Sequence, residues 1–91
     1  MQFEWDPGKA ESNLAKHGVS FDEAKTVFAD PLFLIFADPD HSVGESRFII
    51  MGESSRGTLR IVAYAERDEV VRLISARPAT RKERTTYEED I

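Results

Sequence analysis

The stretch Leu59 to Arg77, LRIVAYAERDEVVRLISAR, restricts the possible folds more than any other part of the chain. Two runs rich in β-branched residues flank the charged tetrapeptide Glu66-Arg67-Asp68-Glu69. Such runs joined by a tight polar turn predict an antiparallel hairpin. Arg60, Tyr64, Arg72, Ser75 and Arg77 interrupt the apolar pattern. The strand period of two puts Arg60, Tyr64 and Glu66 on one face, and Ser75 with Arg77 on one face of the next strand. These residues are either the wet side of a half-buried sheet or the lining of an anion site.

The flanking segments carry clear stop and start signals. Asp6 before Pro7 predicts a helix N-terminus, and Gly18 supplies a left-handed stop after Lys16-His17. Ala10, Leu14 and His17 fall at helical spacing and predict its inward face. Ser20-Phe21-Asp22-Glu23 reads as a capping box opening a second helix, with Phe21, Ala24, Val27 and Phe28 as its buried stripe. Phe3-Glu4-Trp5 reads as a strand stub or a staple onto the first helix. Leu32 to Phe36 and Arg47 to Met51 predict two strands before the hairpin, and Asp38-Pro39-Asp40-His41-Ser42 a loop between them. Thr80-Arg81-Lys82-Glu83 is a further capping box, opening a last helix through Tyr87. The expectation is one α+β domain over residues 1–91: two N-terminal helices, a four-stranded antiparallel sheet and a C-terminal helix. One sheet face would carry helices and the other could stay open.

Composition narrows the functional classes. With no cysteine there is neither a disulfide frame nor a thiolate metal site. No signal peptide or membrane span is recognisable, so a soluble, cytoplasmic protein is expected. Asp38, Asp40 and Glu45 could hold a hard cation, but the calcium-loop pattern is missing and a solvated acidic loop is the simpler reading. No phosphate-cradling glycine loop or serine-nucleophile motif occurs, and no cofactor or metal is expected. The net charge of −5 hides an asymmetry, because all eight arginines lie between Arg47 and Arg84. Arginine is the residue for planar, bidentate contact with phosphate or carboxylate. Its stem also covers apolar surface on exposed strands, and on charge alone that reading is preferred.

Metal-free RNA cleavage needs a proton acceptor, a proton donor and fixed cations. The candidate parts are His17 at a helix end, Glu45 with Arg47, Arg60 with Tyr64 and Glu66, and Ser75 with Arg77. Histidine is the side chain suited to proton exchange at neutral pH. Each part has a structural alternative: a helix cap for His17, cross-strand pairs for the arginines, and a core aromatic for Tyr64.

The opening Phe3-Glu4-Trp5-Asp6-Pro7, the Lys16-His17-Gly18-Val19-Ser20-Phe21 block, Tyr64-x-Glu66-Arg67, Ile74-Ser75-Ala76-Arg77 and Glu83-Arg84-x-x-Tyr87 occur in one order along nearly the whole chain. In these blocks the sequence resembles the BrnT family of bacterial toxins. The resemblance implies a RelE/ParE-like fold and a metal-independent ribonuclease toxin of a type II toxin–antitoxin pair that inhibits translation. It implies a BrnA-like antitoxin with a ribbon-helix-helix DNA-binding domain as partner, with operator DNA reached only through it. Taken with the residue reading, it places His17, Glu66, Arg67 and Arg77 as catalytic. Lys16, Arg47, Arg60, Tyr64, Ser75 and Tyr87 would bind RNA. Ala65 and Pro78 depart from the pattern, where a hydroxyl and a basic residue are expected. The alternative function is a non-catalytic antitoxin-binding module that acts as a transcriptional co-repressor.

Overall fold

The computed structural model describes residues 1–38 and 45–90. Asp40 and His41, part of the expected acidic loop, lie outside the described residues. The elements follow in the order β1 (Gln2–Glu4), α1 (Pro7–His17), α2 (Phe21–Ala24), a 3-10 turn (Lys25–Ala29), β2 (Leu34–Ala37), β3 (Ser46–Glu53), β4 (Leu59–Arg67), β5 (Val70–Pro78) and α3 (Arg81–Glu89). The sheet has five strands in the order β1-β5-β4-β3-β2, not the four expected. The added strand is the N-terminal stub, whose Gln2 to Glu4 pair in parallel with Val70 to Arg72. The other pairings are antiparallel, which makes the sheet mixed.

Local chemistry sets the helix boundaries as expected. The Asp6 side chain accepts from the Lys9 N–H at 3.0 Å, and Gly18 adopts φ 71° to close α1. Ser20 caps α2 through the Glu23 N–H at 3.0 Å. The second half of that box is not formed, because the Glu23 carboxylate turns to Ser54 and Arg60 instead. Thr80 and Glu83 complete the box that opens α3.

The core lies on both sides of the sheet. Val19, Phe21, Ala24 and Val27 pack on Ile50, Val62, Val71 and Leu73 on one face. On their aromatic border Phe28 meets Tyr64 edge to face at 4.9 Å, and Tyr64 stacks on Phe48 at 5.5 Å. The opposite face buries Met51, Leu59 and Ile61 under Tyr87 of α3, so that face is partly covered rather than open. The 3-10 turn crosses β3 closely at Gly52, where a Cβ would sit 3.0 Å from Val27 Cγ1 and 3.1 Å from Asp30 Oδ2.

The inward face of α1 differs from the sequence expectation. Leu14 is 51% exposed, and the buried position is Asn13. The Asn13 amide donates to the carbonyls of Val19 and Ala76, both at 2.9 Å, and its oxygen accepts from the Ala76 N–H at 3.0 Å. β1 pairs only as far as Arg72, so the Ala76 backbone groups have no neighbouring strand on that side. Asn13 stands in for the missing strand, and this backbone demand is invisible to a count of apolar residues.

Candidate functional site

The sheet is irregular where β4 meets β5. Ala63 is opposite Ser75 and Tyr64 is opposite Leu73, which leaves Ile74 as an extra residue. A bulge of this kind bends the strand and re-aims side chains, and bulges concentrate beside functional sites. Two depressions meet there. One, of about 510 Å³, lies between α1 and β5 and is lined by Lys9, Ser12, Asn13, Lys16, His17, Ile74 and Ser75, with Asp6 and Gly8 at its end. The other, of about 210 Å³, is lined by Asp38, Arg47, Phe48, Ala63, Tyr64, Ile74 and Ser75. Ile74 and Ser75 belong to both, so together the two form one groove.

The groove's chemistry follows from its lining. Lys9 and Lys16 are seven residues apart, two helical turns, and so fall on one side of α1. His17, the last residue of α1, lies beside them. Arg47 reaches Glu45 through its Nε at 3.3 Å. Burial and the neighbouring Glu66 charge push the Tyr64 phenol up, so at neutral pH it is a hydroxyl able to donate a hydrogen bond. Its ring is 3% exposed and held between Phe28 and Phe48, which favours the core reading of this residue over base stacking. Three basic side chains, Lys9, Lys16 and Arg47, line the groove with the acidic Asp6 and Asp38.

Of the residues singled out in the sequence, the groove gathers Lys16, His17, Arg47, Tyr64 and Ser75. The others lie elsewhere. Arg60 donates from Nε to Glu23 Oε2 at 2.9 Å, where Glu23 also accepts from Ser54 Oγ at 2.7 Å. Burial raises the Glu23 carboxyl, but Ser54 and Arg60 outweigh it and the net shift is downward. Arg77 forms a two-pronged pair with Glu83, both contacts at 2.8 Å. Tyr87 donates its hydroxyl to Asp30 Oδ2, which also accepts from the Glu53 N–H at 2.8 Å. Burial foremost, and then Asp30, push the Tyr87 phenol up to about 12. Glu66 and Arg67 stand exposed at the hairpin tip, where Glu66 borders a depression with Gln2, Asp68 and Glu69. The hairpin is therefore not the floor of a single site. Its polar residues are distributed over the groove, two ion-pair clusters and an exposed tip. Sequence reasoning missed Lys9, Ser12 and Ile74. The Lys9–Lys16 spacing was the available signal for the first, and nothing announced the bulge at Ile74.

Fold and groove together define a small mixed-sheet α+β protein with a cation-bearing cleft between its first helix and its longest hairpin. Within that class the chain belongs to the BrnT family, described as ribonuclease toxins of type II toxin–antitoxin systems, whose family model matches residues 5–83. A toxin of such a pair has a cognate antitoxin as its partner. The 1.1 Å crystal structure of the Brucella abortus ribonuclease toxin BrnT is similar in fold, with a TM-score of 0.69 and 24% identity. The match covers 89% of this chain and 99% of that one. No curated protein matches the chain. Among the described residues no helix is long and apolar enough to cross a membrane, and no cluster of metal-ligating side chains occurs.

Proposed function

We propose that this chain is an endoribonuclease that cuts RNA without a metal, in the groove between α1 and β5, and that a BrnA-like ribbon-helix-helix antitoxin neutralises it. The observation that carries this reading is the pair of depressions that share Ile74 and Ser75 and bring Lys16, His17, Arg47, Tyr64 and Ser75 to one place. In the reaction the RNA 2′-oxygen attacks the adjacent phosphorus, the P–O5′ bond breaks, and a cyclic phosphate forms. His17 takes the 2′-hydroxyl proton as the new P–O bond forms, and the departing O5′ takes up a proton from water. Lys16 and Arg47 hold the phosphate and offset its growing negative charge. Tyr64 and Ser75 offer hydroxyl hydrogen bonds to the sugar–phosphate. Arg67, exposed at the hairpin tip, contacts RNA outside the groove, and Arg60, Arg77 and Tyr87 hold the scaffold. The RelE/ParE-like arrangement belongs to this reading, supported by the two helices before β2 to β5 and the closing helix after them.

The test uses purified, folded protein, a short RNA and EDTA. Cleavage is expected to persist in EDTA and to fall about 10²–10⁴-fold in His17→Ala, the usual worth of a positioned proton-transfer group. RNA that stays intact, or cleavage that His17→Ala and Arg47→Ala leave unchanged, would overturn the assignment. The second reading is a non-catalytic module that docks the antitoxin and acts as co-repressor, reaching operator DNA only through it. In its favour, Arg60 and Arg77 are committed to carboxylates and not to a substrate. It requires that both variants alter antitoxin affinity and nothing else.

A further inference from the structure

The edge of the sheet at β2 has a composition that free edges avoid. Leu32, Phe33, Ile35 and Phe36 are 41–46% exposed, and residues 32–37 contain no charge and no proline. Soluble proteins blunt such edges with lysine, proline or a bulge, because an open apolar strand recruits another chain. The four side chains together expose on the order of 400 Å², shared between the two faces of the strand, comparable with the largest apolar patch of an ordinary monomer. Among the described residues, β2 pairs only with β3. The Asp38 N–H donates to the Arg47 carbonyl at 3.0 Å, so by antiparallel alternation Leu34 and Phe36 turn their polar groups toward β3. Ile35 and Ala37 therefore turn theirs outward.

We propose that β2 pairs with β2 of a second copy of this chain, antiparallel about a two-fold axis at Ile35. The argument for a copy is self-complementarity. With the axis at Ile35, the outward backbone groups of the two Ile35 residues exchange both hydrogen bonds. Leu34 then faces Phe36 of the other copy, and Phe33 faces its Ala37. Every pair in the five-residue overlap is apolar. Asp38 meets Leu32 of the other copy rather than another acid, so two molecules of net charge −5 place no like charges in contact along the strand. Shifting the axis by one residue to Phe36 would set Leu34 against Asp38. A closed two-fold contact of this kind is the commonest form of self-association. Two such edges bury at most about 800 Å² of side-chain surface plus the backbone, which falls in the small, transient class of interface. The dimer is therefore concentration-dependent.

Sedimentation equilibrium of the intact chain tests this. The mass is expected to rise from monomer toward dimer as concentration increases from about 5 to about 500 μM, as befits a small interface. Ile35→Lys should stay monomeric over that range while keeping its circular dichroism and its RNA cleavage. Leu14→Lys, on the exposed side of α1, should dimerise like the parent. The absence of native cysteine supplies a second readout. Ile35→Cys should form a disulfide-linked dimer on mild oxidation, because Cα atoms of a directly opposed pair lie about 5.5 Å apart. Phe36→Cys should not, because its diagonal separation is about 7–8 Å or more. A parent that is monomeric throughout, with no crosslink at position 35, would overturn the proposal. If in addition Ile35→Lys escaped neutralisation on co-expression with the product of the adjacent gene, the strip would belong to the antitoxin instead.

Discussion

Glu83 serves two structures with one carboxylate. It accepts from the Thr80 N–H at 2.8 Å as the returning half of the capping box, and it holds Arg77 with both oxygens. The Arg77 guanidinium beside it keeps the carboxyl far below its ordinary 4.5, at about 2. A carboxyl depressed on folding contributes stability that is present above the unfolded value and lost as pH falls through the folded one. Glu83→Gln is therefore expected to cost about 1–2 kcal/mol at neutral pH, a figure reduced for the solvent exposure of the pair. The difference from the parent should shrink between pH 4.5 and 2, as denaturant melts across that window would show. The box was legible in the sequence because it spans three residues. The ion pair was not, because Arg77 and Glu83 meet only after the chain turns at Pro78. Arg60 and Glu23 likewise meet across 37 positions.

At the scale of elements, the hairpin was legible as a hairpin, and of its polar residues Tyr64 and Ser75 line the groove while Arg60 and Arg77 pair with carboxylates. Its turn is the two-residue pair Asp68 and Glu69, with φ of 50° and 68°. Both angles are left-handed, as a type I′ turn requires, and neither residue is glycine. Glu69→Gly should remove the side-chain penalty and raise stability by about 0.5–1 kcal/mol, measured by chemical denaturation. An unchanged or lower midpoint would mean that the Glu69 side chain contributes something the backbone argument omits. Caps and apolar stripes were legible because each is a local property. β1 was legible only as a stub, since three residues carry no period and their pairing depends on Val70 to Arg72, far along the chain. The inward face of α1 failed for a related reason. The β5 edge needs a hydrogen-bonding partner at Ala76, and only the assembled sheet reveals that Asn13 meets that need while Leu14 does not.

At the scale of the molecule, part of the charge asymmetry is offset by pairs between the two halves. Glu23 from the acidic half takes up Arg60 and faces Arg56 at 3.9 Å. The arginine-rich half is thus less available to a polyanion than its composition implies, and Lys9 and Lys16 from the acidic half line the groove in its place. If the three groove cations Lys9, Lys16 and Arg47 each meet a phosphate, log K for single-stranded RNA should fall with log salt at a slope of about −2. Fluorescence anisotropy with a non-cleavable RNA would measure it. A slope near zero would remove RNA backbone from the groove.

The Asn13 contact with Ala76 has a consequence for how copies of the molecule can add to one another. A sheet with two receptive margins can polymerise, since each addition exposes a fresh end. Here one margin is the three-residue β1 with its charged Glu4, and beyond it the Ala76 backbone groups of β5 are already taken by an amide side chain. That leaves a combining capacity of one, at β2. A unit of capacity one forms pairs and then stops, so the same edge that invites association also ends it.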